Sequence, residues 1–290
     1  MWEALAVAIG AARGQPFEIC HYTAVGGGCI NQAYTLFDGQ QRFFVKLNQA
    51  TQLAMFEAEL AGLREIYQSA TIRVPAPLCC GLAGASAYIV MEWLPLGPGS
   101  AAAWQAMGQR LAAMHRVVSG QGFGWHRPNT IGTTAQPNDW TDSWLTFWRE
   151  QRLGYQFRLA NRRGGHFPRQ TALLAALPAL LADHHPAPVL VHGDLWSGNA
   201  AVTQAGEPVI LDPVTYYGDR EVDLAMTELF GGFPASFYQA YEAAYPLEPG
   251  YARRKALYNL YHILNHFNLF GGGYGDQANR MIDQLLAPLN

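Results

Sequence analysis

Between Val189 and Asp212 the chain sets His192, Asp194, Asn199 and Asp212 at intervals that leave few ways to fold. Val189 to Val191 is an apolar run of strand length. Ala200 to Thr203 and Pro208 to Leu211 flank Gln204-Ala205-Gly206-Glu207, which is the pattern of a β-hairpin with its glycine in the turn. Folding that hairpin back brings Asn199 and Asp212 together, with Asp194 in the loop just before them. A bare strand followed by a polar turn would need none of this spacing.

The residue types suit phosphoryl transfer. A hydroxyl nucleophile needs a carboxylate to orient it and accept its proton, which Asp194 can supply. A triphosphate needs hard cations held by oxygen ligands, which Asn199 and Asp212 can supply. The spacing is that of the H-R-D-L-x-x-x-N catalytic loop and its later metal-binding aspartate, with Gly193 in place of the arginine and Pro213 after the second aspartate. ATP and Mg²⁺ are therefore the expected cofactors.

Upstream, Phe17, Ile19, His21, Thr23 and Val25 alternate as in a strand. Gly26-Gly27-Gly28-Cys29-Ile30-Asn31 interrupts the pattern, and Ala33 to Phe37 and Arg42 to Leu47 resume it. Glycines at 26, 27 and 28 let backbone N–H groups approach phosphates, and Lys46 can reach the same phosphates. A helix from about Gln52 to Ser69 has an apolar face of Phe56, Leu60, Leu63 and Tyr67. Glu59 lies about 60° from Phe56 and Glu57 about 100° away on the other flank, so Glu59 is the expected partner of Lys46. Leu78 to Gly81 and Ala87 to Met91 read as two more strands, and the Pro- and Gly-dense Met91 to Gly99 reads as a hinge. An adenine ring there would meet backbone groups of Glu92 and Leu94. The hinge divides an ATP-binding lobe, 1–94, from a catalytic and substrate-binding lobe, 95–290.

Beyond the hinge, Ser100 caps a helix carrying Trp104, Met107, Leu111, Met114 and Val118, with His115 as a core residue beside it. Gly120 to Asp139 reads as a long loop able to cover a substrate, and Trp140 to Leu159 and Gln170 to Asp183 read as helices. After Asp212, Asp223 can cap a helix or hold the catalytic-loop backbone, and Asp219 or Arg220 can face substrate. His262 and His266 share a helical face, but no third ligand makes them a metal site.

Composition excludes several classes. Half of the 290 residues are apolar and 14% are charged, which describes a well-cored chain. A net charge of −3 without any Lys/Arg block argues against nucleic acid. Met1 to Ala12 contains Glu3 and lacks a basic start, so it reads as a helix and not a signal peptide. No apolar run reaches the length of a membrane span. Cys20, Cys29, Cys79 and Cys80 form no paired framework, as expected of a reducing cytoplasm. Cys29, in the glycine loop near Lys46, is a candidate redox-sensitive thiol.

Taken together, Gly26 to Asn31, Met55 to Glu59, His192 to Asn199, Asp212-Pro213, Tyr216 to Thr227 and Leu269-Phe270-Gly271 closely resemble the fructosamine kinase (ketosamine 3-kinase) family. Leu-Trp-Ser-Gly-Asn and Tyr-Tyr-Gly-Asp-Arg-Glu separate it from aminoglycoside phosphotransferases and choline kinases, one alternative class, and intact Lys46, Asp194, Asn199 and Asp212 argue against the other, a binding-only pseudokinase. The resemblance implies an α+β, protein-kinase-like fold: an N-terminal antiparallel sheet lobe with one helix and a mainly helical C-terminal lobe. It implies phosphorylation of a ketosamine, free or protein-bound, on its 3-hydroxyl, which starts deglycation. It also implies that Trp196 and His266 lie at the sugar, and that oxidised Cys29 can join a monomer into a disulfide-linked homodimer.

Overall fold

The alternation read from His21 onwards builds an antiparallel sheet in the computed structural model, which describes residues 1–26 and 30–289. Helix α1 (Trp2–Arg13) precedes strands β1 (His21–Val25), β2 (Gln32–Phe37) and β3 (Arg42–Gln49). Helix α2 (Leu53–Ser69), β4 (Pro77–Ala83) and β5 (Ser86–Glu92) follow, in sheet order β1-β2-β3-β5-β4. Phe17 stays outside the expected strand, buried with Leu5 and Ile9 of α1 against Leu36, Val45 and Val90, so α1 adds a second helix to this lobe.

The other face of the sheet meets α2. Phe56, Leu60 and Leu63 are buried as the periodicity requires, but Tyr67 is 56% exposed and Ile66 is fully buried instead. The buried stripe is broader than one row because α2 packs against both lobes, sharing a core with Ile89 and Met91 on one side and with Leu111, Leu190 and Ile210 on the other.

After the short β6 (Leu96–Gly97), Ser100 Oγ accepts from Ala103 N at 3.1 Å and caps α3 (Ala101–Met114). Val118 lies past the end of that helix and is exposed, so the expected stripe stops at Met114. The segment expected to be a plain loop contains a hairpin, β7 (Asn129–Ile131) and β8 (Thr134–Gln136). Its buried faces carry Asn129 and Gln136, which bond to each other, so no apolar alternation announces it. The next helix starts at Trp144, capped by Ser143, as α4 (Trp144–Phe147), widens into a π-turn over Trp148–Leu153 and continues as α5 (Gly154–Arg162). Then come α6 (Gln170–Leu180), β9 (Val189–Val191), the β10 (Ala200–Thr203) and β11 (Pro208–Ile210) hairpin, β12 (Tyr216–Gly218), α7 (Glu221–Leu229), α8 (Ala235–Ala244), α9 (Tyr251–Phe270) and α10 (Tyr274–Leu286). The hairpin pairs Ala200 with Ile210, and β9 pairs with β12, so the loops after β9 and β11 leave the core side by side. None of the described helices is long and apolar enough to cross a membrane.

Candidate active site

Strand β9 delivers His192 to Asn199 as a loop whose backbone is fixed from behind. The Asp223 carboxylate accepts from His192 N at 2.7 Å and from Gly193 N at 2.8 Å. Asp223 is fully buried and held in turn by His115, whose Nε2 lies 3.1 Å from it and whose Nδ1 lies 2.8 Å from Tyr241 Oη. Of the two roles open to Asp223, holding the catalytic-loop backbone is the one observed. Gly193 has φ of +85°, and a Cβ there would stand 2.4 Å from Val214 O, which is why no arginine can occupy the position in this chain.

His192 locks this loop to the second one. Its Nε2–H donates to Leu211 O at 2.8 Å, its Nδ1 accepts from Asp194 N at 3.2 Å, and Leu211 N returns to Asn199 O at 2.8 Å. Asp212 follows with φ of +55°, a strained conformation for a non-glycine residue that turns its carboxylate toward the first lobe. Lys46 Nζ lies 2.6 Å from Asp212 Oδ1 and 2.7 Å from Glu59 Oε1. Burial alone would lower the Lys46 pKa, but the Asp212 and Glu59 carboxylates outweigh it and keep the ammonium charged. Glu57 instead pairs with Arg127 at 3.0 Å.

Asn199 Nδ2 donates to Asp194 O at 2.8 Å and reaches Asp194 Oδ2 at 3.3 Å, so the carboxamide nitrogen faces Asp194. The Asn199 Oδ1 and the half-exposed Asp212 carboxylate are hard oxygen donors of the kind magnesium takes. The donor set fits that ion. Burial, then the charges of Asp212 and Asp223, push the Asp194 carboxyl up to about 7. A carboxyl so placed can exchange a proton near neutral pH.

Beside Asp194 runs an aromatic wall. Trp196 is 38% exposed, and a Cβ on Gly198 would stand 2.4 Å from its ring, so the indole lies folded across the glycine. Phe230 meets Trp196 at 6.5 Å and His266 at 5.0 Å between ring centroids, and His266 also neighbours Phe270 and Tyr274. Trp196 and His266 are thus joined through Phe230, which sequence reasoning did not single out. Its only signal was its place at the end of an apolar helix.

Other expected residues fall differently. The Glu92 N–H donates to Ala76 O at 2.9 Å and its side chain binds Arg73 at 2.6 Å, so both are engaged within the protein; Leu94 is buried two residues on. Asp219 and Arg220 do not face substrate. Asp219 is buried with His184 at 2.6 Å and Tyr258, and Arg220 binds the carbonyls of Tyr245 and Pro246. Gly26 is described at the end of β1, whereas Gly27, Gly28 and Cys29 lie outside the described residues. Of the described cysteines, burial raises Cys79, to about 11, and Cys80, so neither is activated toward oxidation.

Sequence reasoning also missed an ionic brace at the hinge. Arg73 binds Glu207 at 2.6 Å as well as Glu92, and Arg110 of α3 binds Glu207 at 3.0 Å. No spacing along the chain could reveal contacts between such distant positions.

The model of the fructosamine kinase family matches residues 1–288. A probable ketoamine kinase from Synechocystis is 58% identical over 285 residues, covering 98% of this chain and 97% of its own. A chloroplastic protein-ribulosamine 3-kinase from Arabidopsis thaliana is 43% identical over 281 residues, covering 95% of this chain and 86% of its own. The crystal structure of a provisionally named fructosamine-3-kinase from Haemophilus somnus superposes with a TM-score of 0.92 at 29% identity, covering 99% of this chain and 98% of that one.

Proposed function

Because the chain belongs to the fructosamine kinase family, we propose that it transfers the γ-phosphoryl group of ATP to the 3-hydroxyl of fructosamine-type ketoamines, on free or protein-bound amines. The observation that carries this reading is the convergence of Asp194, Asn199 and the Lys46–Asp212 pair on one point beside the wall of Trp196, Phe230 and His266. An aromatic face suits a sugar's C–H surface, and the carboxylate beside it suits one hydroxyl of that sugar.

Residues 1–94 form the nucleotide lobe and residues 95–290 the catalytic and acceptor lobe. Lys46, oriented by Glu59, binds phosphate, and backbone groups of Glu92 and Leu94 receive the adenine. Asp194 orients the acceptor hydroxyl and takes its proton. Asn199 and Asp212 would hold magnesium, which would supply positive charge to the phosphates. Catalysis is positioning plus electrostatics. Phosphate on O3 becomes an allylic leaving group once the ketoamine enolises toward nitrogen, and its departure lets the amine hydrolyse free. The reaction thus begins deglycation, in the cytoplasm.

A panel of fructosamines, ribulosamines, a glycated protein, an aminoglycoside and choline tests the reading, with the phosphorylated position fixed by NMR. ATP-dependent phosphate on O3 of a ketoamine is expected. Turnover of the aminoglycoside or choline with none of any ketoamine would overturn it.

A further inference from the structure

Helix α9 carries a buried histidine that the reaction described above does not use. His262 is 4% exposed, and its Nδ1 is buried without a hydrogen-bond partner among the described residues. That atom faces Asp194 Oδ1 at 4.0 Å. Buried polar atoms without partners are rare, so this one calls for an explanation. Its backbone carbonyl and a neighbouring ring are both engaged. His266 Nδ1–H donates to His262 O at 2.8 Å, and the Tyr261 ring, tied through its hydroxyl to Gln136, lies 5.2 Å away.

We propose that His262 is a positioning residue for the acceptor side of the reaction, its Nδ1–H closing on Asp194 Oδ1 and fixing that carboxylate against the incoming hydroxyl. This rests on the kinase reading of Asp194. The tautomer follows from the partner in its ionised form: the Asp194 carboxylate accepts only, so for the bond to close the ring nitrogen facing it carries the proton. His262 stays neutral because burial, then His266 and Arg152, lower its pKa to about 3 against the opposing charge of Asp223. It therefore has one N–H to place. Asp194 has room to respond, since among the described residues its other oxygen is held only by the long 3.3 Å contact from Asn199 Nδ2. Closing the gap to hydrogen-bond length takes a movement of about 1 Å. Catalytic hydrogen bonds are often long before substrate tightens them. Once closed, Asn199 and His262 grip one oxygen each, and the carboxylate plane can no longer turn away from the hydroxyl.

Three variants and one spectrum test this in the full-length protein. His262→Asn can return an N–H to the Nδ1 position, whereas His262→Gln places it near Nε2 and His262→Leu has none. We expect kcat of His262→Asn within about threefold of wild type and a loss of about 10- to 100-fold in the other two, with KM for ATP unchanged in all. Folded His262→Leu with wild-type kcat, or equal losses in all three, would overturn the proposal. Nitrogen-15 histidine NMR decides independently of activity: a neutral Nδ1–H tautomer at His262 supports it, and an Nε2–H tautomer refutes it. Should the wild type turn over no ketoamine, the kinase reading fails while the tautomer still settles what His262 does.

Discussion

Lys46 Nζ stands 2.6 Å from Asp212 Oδ1, so one ion pair joins β3 of the first lobe to the residue that follows the hairpin of the second. Glu59 completes the arrangement from α2 at 2.7 Å. The three side chains come from three separate elements, so the site is assembled only when both lobes fold against α2.

Lys46 and Glu59 should therefore behave as one unit. Lys46→Ala and Glu59→Ala are each expected to slow turnover strongly, with the double variant far from additive and a coupling of about 1–3 kcal/mol. Glu57→Ala, which releases only Arg127 on a partly exposed surface, should change kcat/KM less than about threefold. Steady-state kinetics of the four variants checks this, and additive losses would show that Glu59 does not act through Lys46.

Asp194 and Asp212 should separate by what they hold. Asp194→Asn is expected to lower kcat by about 10²- to 10⁴-fold or more while nucleotide affinity stays within a few-fold, because the carboxylate faces the acceptor. Asp212→Ala should weaken nucleotide binding as well, and abolish its dependence on Mg²⁺. Calorimetric titration with and without the metal distinguishes them; unchanged metal dependence in Asp212→Ala would remove it from the metal site.

Much of this site was legible because short motifs carry it. The Asp194, Asn199 and Asp212 spacing implies the hairpin that the structure contains, and a 100° rotation per residue selects Glu59 over Glu57. What stayed hidden depends on distant partners. Asp219 and Arg220 are charged residues beside a polar motif, which suggests contact with substrate, yet His184, Tyr258 and the Tyr245 and Pro246 carbonyls draw them inward. The β7–β8 hairpin escaped notice because its buried side chains are polar and satisfied by one another. His262 had a neighbour only in three dimensions.

Acid should loosen the fold through two buried groups. In the folded chain the His262 pKa is lowered to about 3, mainly by burial, from an unfolded value near 6.5, so the unfolded state binds more protons between these limits and stability falls as pH drops through that window. Asp223 is also lowered: burial opposes this, but His115, His192 and the loop N–H groups outweigh it. Its contribution is present above about pH 4 and lost as pH falls through its folded value. Urea unfolding from pH 7 to 4 should show a declining midpoint, and His262→Asn should flatten the slope between about pH 6 and 4. An equal slope in the variant would mean that His262 is not the group being titrated. Asp223→Ala should cost about 3 kcal/mol or more at pH 7, since it strands two buried N–H groups and His115.

Gly198 should control acceptor binding through Trp196. A methyl group at 198 would meet the indole at 2.4–2.8 Å, well inside van der Waals contact, and the ring would have to swing off the loop. Two neighbours limit where it can go, since the ring faces Phe230 and its backbone N–H is tied to Asp194 O at 3.2 Å. The side chain therefore turns out of the wall it shares with His266, while Asp194, Asn199 and Lys46 keep their own contacts. Gly198→Ala is accordingly expected to raise KM for a ketoamine by about tenfold, the scale of one lost aromatic contact, with KM for ATP unchanged. Tryptophan fluorescence should shift red as the indole becomes more exposed. Were KM for ATP to rise instead, the glycine would be acting on Asn199 and the metal ligands, and Trp196 would not be the group it places.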